Sequence, residues 1–166
     1  MTFPNVLFFS LVLGVCATVL MDLWALFLKR VFNVQPLNWA MVGRWVGNMR
    51  TGHFYYESII RAPIVKHEKV IGWLIHYITG VMLALMFLSI VGNGWLLMPT
   101  VQQAISFGLA TVLLPFLIMQ PCLGFGFFAS QTPNPMNARM LSILAHIIFG
   151  LGLFLTAYVV VHVVGV

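Results

Sequence analysis

At 166 residues, 61% hydrophobic and only 7% charged, with a mean hydropathy of +1.03, the chain cannot make a water-soluble globule, which carries about 25% charged residues. Its 8 Lys and Arg against 3 Asp and Glu give a formal charge of +5. The basic residues are gathered between apolar runs, a distribution that marks membrane orientation and excludes a nucleic-acid groove.

The first apolar run, Val6 to Leu28, is long enough to cross a hydrocarbon core, which takes about 20 helical residues. No positive segment precedes it and it ends in Lys29-Arg30, so it reads as a retained span rather than a cleaved signal. Residues 30–69 follow, a basic segment interleaved with Phe32, Trp39, Trp45, Phe54, Tyr55 and Tyr56. Aromatic and arginine side chains favour headgroup depth, which predicts short interfacial helices over Asn38 to Asn48 and Phe54 to Arg61, with the arginines on lipid phosphate. The second span is Val70 to Val91, followed by a Gly92-Asn93-Gly94 turn. The third, Val101 to about Phe128, contains Pro115 and Pro121, each of which removes a backbone donor and kinks the helix beside Gln120. The fourth, Pro135 to about Val163, starts with a capping Asn134 ahead of a proline at the first helical position, after the rigid Thr132-Pro133 turn.

Four such runs, with none of the short alternating segments of a barrel, predict an all-α polytopic membrane protein forming a single domain. Lys29, Arg30, Arg44, Arg50, Arg61, Lys66 and Lys69 lie between spans one and two, and Arg139 between three and four. By the positive-inside rule these connections are cytoplasmic and both termini lie outside. The two cysteines, Cys16 and Cys122, sit in apolar runs without C-x-x-C spacing and read as small core residues.

Ionisable groups at membrane depth are costly and face a bundle interior. Asp22, His76 and His146 each stand seven residues from a basic residue, Lys29, Lys69 and Arg139. That places all three about 10 Å inside the cytoplasmic boundary, in one layer. Each lies in a stripe of small residues four apart: Gly14, Thr18 and Asp22; Gly72, His76 and Gly80; Ser142, His146 and Gly150. Such stripes let helices approach closely. The matched stripes, with Ala17-Thr18-Val19-Leu20 and Ala110-Thr111-Val112-Leu113, point to a parallel internal repeat relating His76 to His146.

Several motifs together resemble a family of small bacterial inner-membrane proteins known only as a domain of unknown function. They are Met21-Asp22-Leu23-Trp24, Leu37-Asn38-Trp39, Val42-Gly43-Arg44-Trp45, Ile71-Gly72-Trp73, His76-Tyr77, Met119-Gln120-Pro121, Thr132-Pro133-Asn134-Pro135, Arg139, His146 and Phe149-Gly150-Leu151-Gly152-Leu153. The resemblance covers nearly the whole chain. It implies a four-helix protein of the inner membrane and brings no activity, cofactor or catalytic residue with it.

Several readings of the polar layer stay open. Asp22, His76 and His146, with Gln120 at an entrance, can bind or relay a proton or cation, coupled to transport of a small solute through a homo-oligomer. The same two histidines and carboxylate have the composition of a divalent-metal ligand set. His76 and His146 can be axial ligands of a b-type haem, with Gly80 and Gly150 leaving room for the porphyrin. A lipid-modifying enzyme can use Asp22 or His76 as a base, although Ser58 beside Glu57 lies in no recognisable motif and Ser130 and Thr132 read as turn residues. Finally, hydrogen-bonded packing between helices accounts for such groups with no function at all. His53, His67 and His162 read as interfacial or solvated.

Overall fold

The computed structural model describes residues 3–164 of the chain. Five α-helices follow one another: α1 over Phe3–Phe32, α2 over Trp39–Met49, α3 over Glu68–Val91, α4 over Val101–Cys122 and α5 over Pro135–Val159. The chain is an all-α protein in which α1, α3, α4 and α5 are long and apolar enough to cross a membrane, and no described residue forms a strand. The chain groups into two compact units.

The first unit contains Met1–Gln35, Tyr77–Thr111 and Leu144–Val166. Its core joins Phe9, Leu13 and Ala17 of α1, Ala84, Phe87 and Leu88 of α3, Ala104 of α4 and Phe149, Leu153 and Ala157 of α5. Gly14 of α1 lies against the backbone of Gly80 and Val81, and a Cβ on Gly80 would strike the Thr18 hydroxyl. In α4 and α5 the arrangement recurs: Gly108 lies against Gly150, and a Cβ on Gly150 would strike the Ala104 carbonyl oxygen. The small-residue stripes therefore serve close helix crossing, as their spacing predicts. α1 ends where Asn33 takes a left-handed conformation, φ 55°, a role asparagine tolerates well. Lys29 and Arg30 occupy its last turn, where positive charge complements the carbonyl end of the helix dipole.

The second unit contains Pro36–His76 and Val112–Ile143, with a small core of Val42, Ile59, Ala62 and Leu123. α2 begins where the Asn38 side chain accepts the Ala40 N–H at 3.1 Å, so a helix forms over the stretch where one was expected. It packs on the start of α3 glycine to backbone: a Cβ on Gly43 would strike the Glu68 carbonyl, and one on Gly72 the Trp39 carbonyl. The second interfacial helix, expected over Phe54 to Arg61, is absent, and only a single 3-10 turn forms at Ile59–Arg61. Backbone donors there turn away from helix formation: Tyr56 N–H goes to the Cys122 carbonyl (3.0 Å) and Ile59 N–H to that of Leu123 (3.2 Å).

The third span ends at Cys122 rather than near Phe128. Gly124 at φ 84° reverses the chain. The Phe125 N–H then reaches the Gln120 carbonyl and the Gly124 N–H that of Pro121, the paired bonds of a glycine-terminated helix. Pro115 produces a π-helical stretch over Pro115–Met119, in which the Gln120 N–H bonds to the Pro115 carbonyl. α5 starts as predicted, with the Asn134 side chain accepting the Asn137 N–H at 3.3 Å. Cys16 is exposed rather than in the core, because position 16 faces away from the Leu13 and Ala17 side of α1 that the core buries.

Candidate functional site

In the first unit, Asp22 is half-buried on α1 and its carboxylate accepts a hydrogen bond from the Tyr77 hydroxyl of α3 at 2.9 Å. An acid placed between spans thus meets a phenol, a group that can both accept and donate a proton. On the other helix pair, Thr111 donates to the Gly108 carbonyl at 2.6 Å and stands 2.8 Å from His146 Nδ1. A hydroxyl has one proton, and Thr111 commits it to the carbonyl. We therefore assign the proton of this contact to Nδ1, which leaves Nε2 as the basic atom of the neutral ring.

In the second unit, His76 is buried, 8% exposed, with its ring stacked on Trp39 of α2 at 3.9 Å between centroids and 25° between planes. Trp73 approaches the same imidazole edge-on at 5.8 Å. An imidazole between indoles is shielded from water and, when protonated, is attracted to their π-faces. Gln120 follows the π-helical stretch of α4 and is 6% exposed. Its Nε2 reaches Ser142 Oγ of α5 at 3.4 Å, a long bond, and its Oε1 has no partner among the described residues. The amide's own orientation is an assignment from this network.

Tyr77, Thr111 and Trp39 were not singled out from sequence as partners of the ionisable groups. Thr111 carried a signal, since it occupies in α4 the place that Thr18 occupies in the repeated Ala-Thr-Val-Leu of α1. Trp39 carried none, because its stacking on His76 follows from how α2 folds back on α3.

Other expectations change on the structure. Arg44 does not lie open to lipid phosphate: its Nε and Nη2 each donate to Glu68 at 2.8 Å, and its Nη1 donates to the carbonyls of Ile59 and Ile60. The bonds to Glu68 push the guanidinium further above its ordinary range. The space for a porphyrin expected at Gly80 and Gly150 is filled by the Thr18 side chain and the Ala104 backbone, which removes the physical ground for the haem reading. Among the described residues no three His, Cys, Asp or Glu side chains are grouped where they could hold a metal ion. Thr132 is a turn residue, donating to the Ala129 carbonyl at 2.7 Å, and His53, His67 and His162 are exposed.

A family model described as a protein of unknown function, DUF2938, matches residues 11–160 of the chain. No curated protein and no solved structure matches it.

Proposed function

The chain is a multi-pass membrane protein that belongs to the DUF2938 family, and on that premise we propose that it binds and relays a proton or a monovalent cation through its intramembrane polar groups. The observation that carries this reading is the Asp22 to Tyr77 hydrogen bond. It joins an acid to a hydroxyl that can pass a proton on, on two helices long and apolar enough to cross a membrane, where an ionisable group is by default a functional hypothesis. His146, with Nε2 as its basic atom, offers a second exchangeable position. His76 and Gln120 are proposed contributors because both are buried polar side chains. The positive-inside rule supports basic loops in the cytoplasm and both termini outside, in the inner membrane of a bacterium. Coupling to a small solute, through a homo-oligomer that supplies the rest of a path, is part of the same proposal.

The test is proton entry into liposomes. With purified protein reconstituted around an entrapped pH dye and a potential imposed by potassium and valinomycin, the wild type acidifies the lumen faster than protein-free vesicles. Asp22→Asn and Tyr77→Phe, which keep the side-chain shapes, slow entry on the order of tenfold or more. An entrapped sodium dye separates cation from proton. Equal rates for wild type and Asp22→Asn in both assays, with a lowered unfolding temperature in the variant, would assign Asp22 to packing instead.

A further inference from the structure

The segment that failed to form a second interfacial helix is held as an extended strap. Its backbone is tied down along its length. Trp45 Nε1 donates to the Phe54 carbonyl at 2.8 Å, Tyr56 and Ile59 donate to the end of α4, Arg44 holds the carbonyls of Ile59 and Ile60, and Asn48 holds that of Pro63 at 3.0 Å. One side of the strap is sealed: Ile59 is fully buried and Ala62 is 7% exposed. The other side is left with large apolar side chains in the open, Phe54 at 58%, Tyr55 at 61%, Ile60 at 66% and Ile64 at 78% exposed.

Charge on the open side is predominantly positive. Arg50, Arg61, Lys66 and Lys69 are all exposed. Of the acids within the second unit, Glu68 is consumed by Arg44, which leaves Glu57 against four cations. A rigid surface that combines outward apolar side chains with excess positive charge fits a boundary between acyl chains and negative headgroups. It does not fit water, where the apolar groups are costly, or an acidic protein, which would leave Ile60 and Ile64 unmatched.

We propose that this strap is a docking surface for anionic lipid of the membrane the protein spans, with Arg61, Lys66 and Lys69 on the headgroup phosphates and Ile60 and Ile64 among the acyl chains. The inference is independent of the relay reading, since none of these residues belongs to it.

The experiment is thermal unfolding of the purified full chain in a neutral detergent, titrated separately with phosphatidylglycerol, phosphatidylcholine and inorganic phosphate. Phosphatidylglycerol raises the unfolding temperature of the wild type, and the other two do not. The triple variant Arg61→Gln, Lys66→Gln, Lys69→Gln unfolds at the wild-type temperature without lipid and binds phosphatidylglycerol on the order of tenfold or more weakly, the loss of three charges near an anionic surface. Ile60→Ser with Ile64→Ser weakens the same response while leaving all charges in place. The proposal is overturned if phosphatidylcholine acts as well as phosphatidylglycerol, if inorganic phosphate alone reproduces the shift, or if the triple variant responds like the wild type. Should the triple variant unfold early without lipid, native mass spectrometry of the Ile60→Ser, Ile64→Ser variant decides: retention of as much phosphatidylglycerol as the wild type counts against the strap, and reduced retention supports it.

Discussion

Arg44 shows how a residue's surroundings decide its work. A basic residue beside aromatic ones reads as a lipid contact, yet here the guanidinium is 14% exposed and its partner Glu68 16%. The planar fork meets both carboxylate oxygens, and the remaining nitrogen holds two backbone carbonyls of the strap. Removing it leaves Glu68 partly buried without its counter-charge and frees the strap. Arg44→Gln should therefore lower stability by about 2 kcal/mol, between the cost of breaking a surface pair and a buried one. Arg44→Lys restores the charge but not the bidentate geometry and should recover only part of the loss. Thermal unfolding of the three proteins in one detergent checks both statements. If Lys restores full stability, the geometry is not what matters.

At the scale of elements, glycine position separates contacts that define the fold from open turns. α2 and α3 touch backbone to backbone at Gly43 and Gly72, whereas Gly94 has nothing within 4 Å of the Cβ it lacks. Gly43→Ala and Gly72→Ala force the α2 crossing apart and should each cost about 2 kcal/mol or more, the range of overpacked sites. Gly94→Ala should change stability by less than about 0.5 kcal/mol. Similar unfolding temperatures for all three variants would mean that α2 does not depend on this close approach. α2 carries Trp39, so the Gly72 variant should also weaken the Trp39 to His76 stack, readable as a change in tryptophan fluorescence. The π-helical stretch belongs to the same scale. Pro115 has no N–H to give, and the helix continues by letting Gln120 bond five residues back, which is how the polar amide comes to follow a local widening.

For the molecule as a whole, the firm statement is a multi-pass helical membrane protein of the DUF2938 family. Its proposed orientation rests on charge, with seven of eight basic residues in the first connection or at the helix ends that flank it and the eighth, Arg139, near the start of α5. In a background of Cys16→Ser and Cys122→Ser, a cysteine placed by Lys66→Cys should react with a membrane-impermeant maleimide only from the cytoplasmic side. One placed by Gly94→Cys should react only from the other side. Labelling of both from one side would refute four spans, and the reverse pattern would invert the orientation.

Four spans and the capped start of α5 were legible in the sequence because each is a local matter. Run length decides whether a segment can cross a hydrocarbon core, and an asparagine before a proline decides where a helix begins. The glycine stripes were legible for the same reason, since a spacing of four is a property of one helix. The strap was not, because Tyr56 and Ile59 chose carbonyls at the end of α4, more than sixty residues away in the chain. The partners of the ionisable groups were hidden likewise: Tyr77 faces Asp22 across 55 positions and Thr111 faces His146 across 35. Which polar groups fall within the apolar runs is written in the sequence, and what Asp22 and His146 hydrogen-bond with was decided only when the helices packed.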